Sequence, residues 1–113
     1  MDGGELEVTE TEIKSEIQNA LDKLGIPRWR MQAGGYRGRT RGLPKGTPDI
    51  LAAPTIPYTG WPAFLWIEVK KPKEKPTKDQ LDFAAKMTAQ GHKWIVARSA
   101  DDVVDWLKEN HVI

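Results

Sequence analysis

In the stretch Phe64-Leu65-Trp66-Ile67-Glu68-Val69-Lys70 an acid and a base stand two residues apart inside an otherwise apolar run. Side chains on a strand alternate between its faces, so Leu65, Ile67 and Val69 point one way while Trp66, Glu68 and Lys70 point the other. Burying such a pair among Val, Ile, Phe and Trp costs several kcal/mol per ion unless something compensates, which points to a metal or a chemical role. Register arithmetic supplies a partner. Thr47-Pro48-Asp49 leads into a short apolar strand, Ile50-Leu51-Ala52-Ala53, and residues 55–62 read as a turn-rich loop before the Glu68 strand begins. An antiparallel hairpin with residue 54 opposite 63 sets Asp49 directly across from Glu68, their Cβ atoms about 4.5–5.5 Å apart. Two carboxylates so placed repel, and a divalent cation between them removes the repulsion. The pairing requires a hairpin without a bulge, since a slip of one residue would turn Asp49 to the other face.

Elements on either side must position these groups. From about Thr9 to Leu24, Ile13, Ile17, Ala20, Leu21 and Leu24 form one helical stripe that Gly25 stops. Glu16 lies at the edge of that stripe, about 80° from its centre at 100° per residue, and is the acid of this helix most able to reach inward; Glu12 lies further round. Pro27 to Ala33 alternates Trp29, Met31 and Ala33 against Arg28, Arg30 and Gln32, the pattern of a half-buried strand with Trp29 inward. Residues 34–46 interleave five glycines with Tyr36, Arg37, Arg39, Arg41 and Lys45, a cationic loop able to mould to a phosphate backbone and stack on a base. Lys71-Pro72-Lys73-Glu74-Lys75-Pro76 is a second basic loop. Thr77 and Gln80 then have the spacing of a capping box for a helix running to Gly91. Lys93 to Arg98 is a buried strand, and Ser99 with Asp102 caps a last helix holding Val103, Val104, Trp106 and Leu107. The predicted fold is α/β, an α-β-β-β-α-β-α core with a mixed sheet flanked by helices and a parallel crossover near its end.

Bulk numbers narrow the function classes. A chain of 113 residues suits one domain, taken here as residues 9–113 behind a disordered acidic segment, 1–8. With 39% hydrophobic and 29% charged residues, wholesale disorder and fibrous repeats are excluded. No apolar run is long enough to cross a membrane, and the acidic stretch Asp2 to Glu12 reverses a secretion signal's basic start, so an intracellular, cytoplasmic location without membrane contact is expected. Cysteine is absent and only His92 and His111 are present, so any metal is expected to bind through oxygen. The net charge of +1 conceals segregation: residues 33–48 hold four cations and no acid, and residues 70–78 hold five lysines against Glu74 alone. Such local basic segments are the electrostatic footprint of a phosphate-backbone binder.

Pro48-Asp49 followed by Glu68-Val69-Lys70 resembles the signature of the PD-(D/E)XK nuclease superfamily. The acid-bearing first helix, the glycine-preceded Pro-Asp, the E-V-K strand and Gln80 at the next helix start resemble more narrowly the virus-type replication-repair nuclease domain, VRR-NUC, over roughly residues 12–107. The resemblance implies a restriction-endonuclease-like fold and a Mg²⁺-dependent DNA endonuclease acting in replication, repair or recombination, with Mn²⁺ able to substitute and no small-molecule cofactor. It makes Asp49, Glu68 and the Val69 carbonyl the metal ligands and Lys70 the residue that orients or helps deprotonate the attacking water. Glu16 would complete the acidic cluster, with Glu12 the alternative. Gln80 would approach the site, compatibly with its capping role. Tyr36, Arg37, Arg39, Arg41 and Lys45, with Lys71, Lys73 and Lys75, would contact DNA. One site makes one nick, so double-strand cuts would call for a homodimer, and a phage origin fits the family. A non-catalytic DNA-binding module on the same fold is the rival reading. His92 and His111 read as surface residues; Trp29, Trp94 and Trp106 read as core. Trp66 could wall the site, and Tyr58 and Trp61 are open to packing, stacking or a dimer contact.

Overall fold

The computed structural model describes residues 8–31, 43–55 and 64–113. They form α1 (Glu10–Lys23), β1 (Arg28–Arg30), β2 (Ile50–Ala52), β3 (Leu65–Val69), α2 (Lys78–Ala89), β4 (Lys93–Ala97) and α3 (Ala100–Glu109). This is the order the periodicities predict. The acidic segment up to residue 7, Tyr36, Arg37, Arg39 and Arg41 of the glycine-rich stretch, and Tyr58 and Trp61 lie outside the described residues.

Helix ends form where side chains can satisfy the unpaired amides. The Thr9, Thr77 and Ser99 side chains accept from the backbone of Glu12, Gln80 and Asp102 respectively. Closing α1, the Ile26 amide donates to the Leu21 carbonyl, with Gly25 at φ 72° where a side chain would be strained.

The sheet runs β1-β2-β3-β4. Both β1–β2 and β2–β3 are antiparallel; β3 and β4 are parallel and joined through α2. Pairing fixes the faces. Ile50, Ala52, Leu65, Ile67 and Val69 are fully buried in one core cluster with Ile13, Ile17 and Leu21 of α1 and Val103 and Leu107 of α3. Burying each such side chain contributes roughly 1.5–3 kcal/mol before ordering costs. Arg28 belongs to the same face, paired with Ala52, and its guanidinium reaches the Asp22 carboxylate of α1 at 2.9 and 3.0 Å. On the opposite face Trp66 meets the Phe83 ring of α2 edge-on, centroids 5.0 Å apart at 78°. The sheet is thus a middle layer between α1 with α3 and α2.

Two expectations are corrected. The first strand spans only Arg28–Arg30, and Trp29, expected in the core, is 49% exposed. It sits on an edge strand on the face opposite α1, where the neighbouring residues leave about half of it exposed. Leu24, expected in the apolar stripe, is 40% exposed because it is the C-cap residue, where the chain turns away from the helix axis. Trp94 and Trp106 are half-buried.

Candidate active site

Asp49 directly precedes β2, and the register through Ile50↔Ile67 carries it to the position facing Glu68. The pairing of Ile50–Ala52 with Leu65–Ile67 therefore runs without a bulge, as the opposition of the two acids requires. Several contacts hold Asp49 there. Its backbone carbonyl accepts from the Met31 amide at 2.8 Å and its Oδ2 accepts from the Val69 amide at 2.8 Å. Before it, Pro48 is fully buried, and Gly46 lies against the start of α2 with φ 84°. A Cβ on Gly46 would overlap the Asp79 carbonyl and approach the Gln80 amide nitrogen to 2.9 Å, so only glycine lets this segment pass.

Glu68 is 3% exposed and Lys70 9%, which places both members of the charged pair inside the protein. The Lys70 amide donates to the Ala97 carbonyl at 3.1 Å, extending the β3–β4 ladder and fixing where its side chain starts. Glu68 Oε1 is buried with no hydrogen-bond partner among the described residues. The Glu68 carboxyl is pushed up to about 8: burial contributes most, followed by the hydrogen bond shared with Asp49 and the charge of that group. Lys70 pulls it back down, and Glu10 adds to the rise.

The acid of α1 whose charge reaches Glu68 is thus Glu10. Glu16 and Glu12 are both exposed, and Glu12 accepts from the Thr9 hydroxyl at 3.1 Å. The buried stripe is Ile13, Ile17 and Leu21; at about 100° per residue Glu10 falls about 20° from its centre line, whereas Glu16 falls about 100° away. On the same flank, the Lys14 ammonium lies 3.1 Å from Asp49 Oδ1. Glu10 continues the stripe by one turn toward the start of the helix, whereas Lys14 flanks it, about 60° from its centre line.

Gln80 is occupied at the helix start: its side chain accepts from the Thr77 amide at 2.8 Å while its own amide donates to Thr77 Oγ1 at 3.3 Å. The second basic loop is folded upon itself. The Lys71 amide donates to Glu74 Oε1 at 2.7 Å, holding that carboxyl below its ordinary value, and the Arg98 guanidinium donates to the Glu74 carbonyl at 2.6 Å. Arg98 was not singled out in the sequence, yet it ties this loop to the end of β4. Lys73, with φ 74°, and Lys75 are exposed, as is Lys45; Lys71 is half-buried.

Among the described residues no three His, Cys, Asp or Glu side chains gather as a ligand set. The acidic donors at this site reduce to the facing pair Asp49 and Glu68. The pair has the chemistry that suits a hard divalent cation: both groups offer oxygen, and Glu68 Oε1 is buried without a hydrogen-bond partner among the described residues.

Comparison with known proteins agrees with this geometry. No family profile matches the sequence, and no curated protein matches it. Among solved structures, one described as a VRR_NUC domain is 26% identical, covering 88% of this chain and 94% of its own with a TM-score of 0.58. A second, a VRR_NUC domain protein, shares the fold at 18% identity and a TM-score of 0.63, covering 94% of this chain and 90% of its own. The fold is thus a small α/β domain of three helices and a four-stranded mixed sheet, and its likeness to a VRR_NUC domain points to a nuclease-type domain. More narrowly, these likenesses support its assignment as a VRR-NUC domain. No helix among the described residues is long and apolar enough to cross a membrane.

Proposed function

We propose that the chain is a Mg²⁺-dependent DNA endonuclease that hydrolyses phosphodiester bonds, by nicking or structure-specific cleavage in replication, repair or recombination. The observation that carries this reading is the Asp49–Glu68 pair, set face to face by the strand register, with Asp49 half-buried, Glu68 buried and the buried Lys70 two residues on. Asp49, Glu68 and the Val69 carbonyl would hold the ion, and Mn²⁺ would serve in place of Mg²⁺. Bound there, the ion supplies positive charge to the phosphate and makes a water easier to deprotonate. The residues do the rest. Lys70 offers a proton donor and a positive charge beside the acids, orienting the attacking water and offsetting phosphate charge. The Val69 amide fixes the Asp49 carboxylate through Oδ2. Glu10, rather than Glu16, adds negative potential from α1. Lys45, Lys71, Lys73 and Lys75 would track the DNA backbone together with Tyr36, Arg37, Arg39 and Arg41. Two copies of the chain would be needed to cut both strands.

Supercoiled and single-stranded DNA incubated with the protein test this reading. Cleavage in Mg²⁺, none in EDTA and none by Asp49→Asn in Mg²⁺ are expected. Binding without cleavage under every condition would favour the non-catalytic module.

A further inference from the structure

We propose that Trp29 is a stacking platform for an unpaired base of the strand that is cut, so that the preferred substrate has single-stranded character beside the scissile phosphate. This rests on the nuclease reading and names its substrate class. The pairings Trp29↔Leu51 and Leu51↔Trp66 put these three side chains in one row on one face of the sheet. The next row on that face is Met31, Asp49 and Glu68, through the Met31 amide bond to the Asp49 carbonyl and the register of β2 with β3. Trp29 therefore shares the face of the acids. With strands about 4.8 Å apart and about 3.4 Å per residue, its backbone lies about 8 Å from that of Asp49. A strand with its phosphate at the acids would bring a base of a nearby nucleotide over the indole.

Helix α2 covers this face only in part. It packs on Trp66 through Phe83, while further along the same row Leu51 is half-buried and Trp29 is 49% exposed. No ring contact among the described residues involves Trp29. Arg28 and Arg30 point to the other face and do not shield it. An indole left half in water next to a phosphate-hydrolysing site offers a flat apolar surface that matches the π-face of any base. Paired duplex keeps those faces stacked, and extruding a base costs a few kcal/mol, so the platform favours strands whose bases are already unpaired.

The test is fluorescence anisotropy of the full chain in EDTA with three labelled DNAs: a single strand, the same strand made abasic, and a blunt duplex. Cleavage rates of the three are measured in parallel in Mg²⁺. Trp29→Ala should weaken binding to the single strand about 5- to 150-fold, the range of one lost base–aromatic stack. The abasic strand and the duplex should be unaffected, and Trp29→Phe should keep most of the affinity. The wild-type chain should itself lose about 5-fold or more on going to the abasic strand, a result that depends on no variant's folding. Equal losses on all three DNAs, or no loss on the single strand, would overturn the platform while leaving the nuclease standing. A wild-type chain that neither binds nor cuts any of them would remove both.

Discussion

Glu68 is a carboxyl that the fold has taken out of water and set against another carboxyl, and its ionisation records that position. The folded protein keeps its proton up to about pH 8, while the unfolded chain releases it at the ordinary value of 4.5. The resulting contribution to stability is complete below 4.5 and is lost as pH rises toward 8. Melting curves in EDTA should show this part of the stability falling between about pH 5 and pH 8, and Glu68→Gln should flatten it; an unchanged slope in the variant would refute the assignment. Lys14 supplies Asp49 with a counter-charge from α1. Lys14→Met should therefore cost about 1 kcal/mol in EDTA, an ion-pair magnitude for partly exposed groups, and added Mg²⁺ should restore most of it. Melting with and without the ion checks both halves. The facing acids were legible in the sequence because strand alternation and hairpin register are local arithmetic. Glu10 and Lys14 were not, since the turn of a helix that overhangs the end of a sheet depends on how far the helix slides along it.

At the scale of elements, the passage of Gly46 beneath the first turn of α2 ties the Pro-Asp segment to the far face of the sheet. Gly46→Ala meets two costs at once, a left-handed backbone and an overlap with backbone atoms. It should destabilise the protein by about 2 kcal/mol or more and reduce cleavage by displacing Asp49. Denaturant unfolding together with a cleavage assay would show both losses, and a variant as stable as the parent would contradict the close approach. The capping box of α2 invites a comparison of its two members. Thr77→Ala should cost about 1 kcal/mol with cleavage intact. If Gln80 serves only the cap, Gln80→Ala should behave the same way, and a selective loss of activity would give it a place in the site. Element order was readable from hydrophobic periods and caps, because those signals lie within each segment. The burial of Trp29 was not, for alternation marks one side of a strand as apolar without saying whether a helix comes to lie over it.

Across the whole molecule, α1 and α3 seal one face of the sheet while α2 closes part of the other, and the charged pair sits on the face that stays partly open. Along a chain of net charge +1, residues 37–45 and 70–78 hold nine of the 17 cations, the segments that the proposed function sets against DNA. Binding to DNA should weaken steeply with salt as those cations release counterions, and a flat dependence would argue against backbone contact. Layer architecture followed from the order of elements, and the resemblance to VRR-NUC domains extends across the sheet and its helices. The central proposal, that the facing acids Asp49 and Glu68 and the neighbouring lysine form a hydrolytic site, is tested most directly by single-turnover cleavage with Lys70→Ala beside the wild type at equal Mg²⁺. A fall of about 10²–10⁴ in rate, the range for a positioned proton-transfer group, with DNA binding retained, is the predicted result. Equal rates for the two proteins would contradict it.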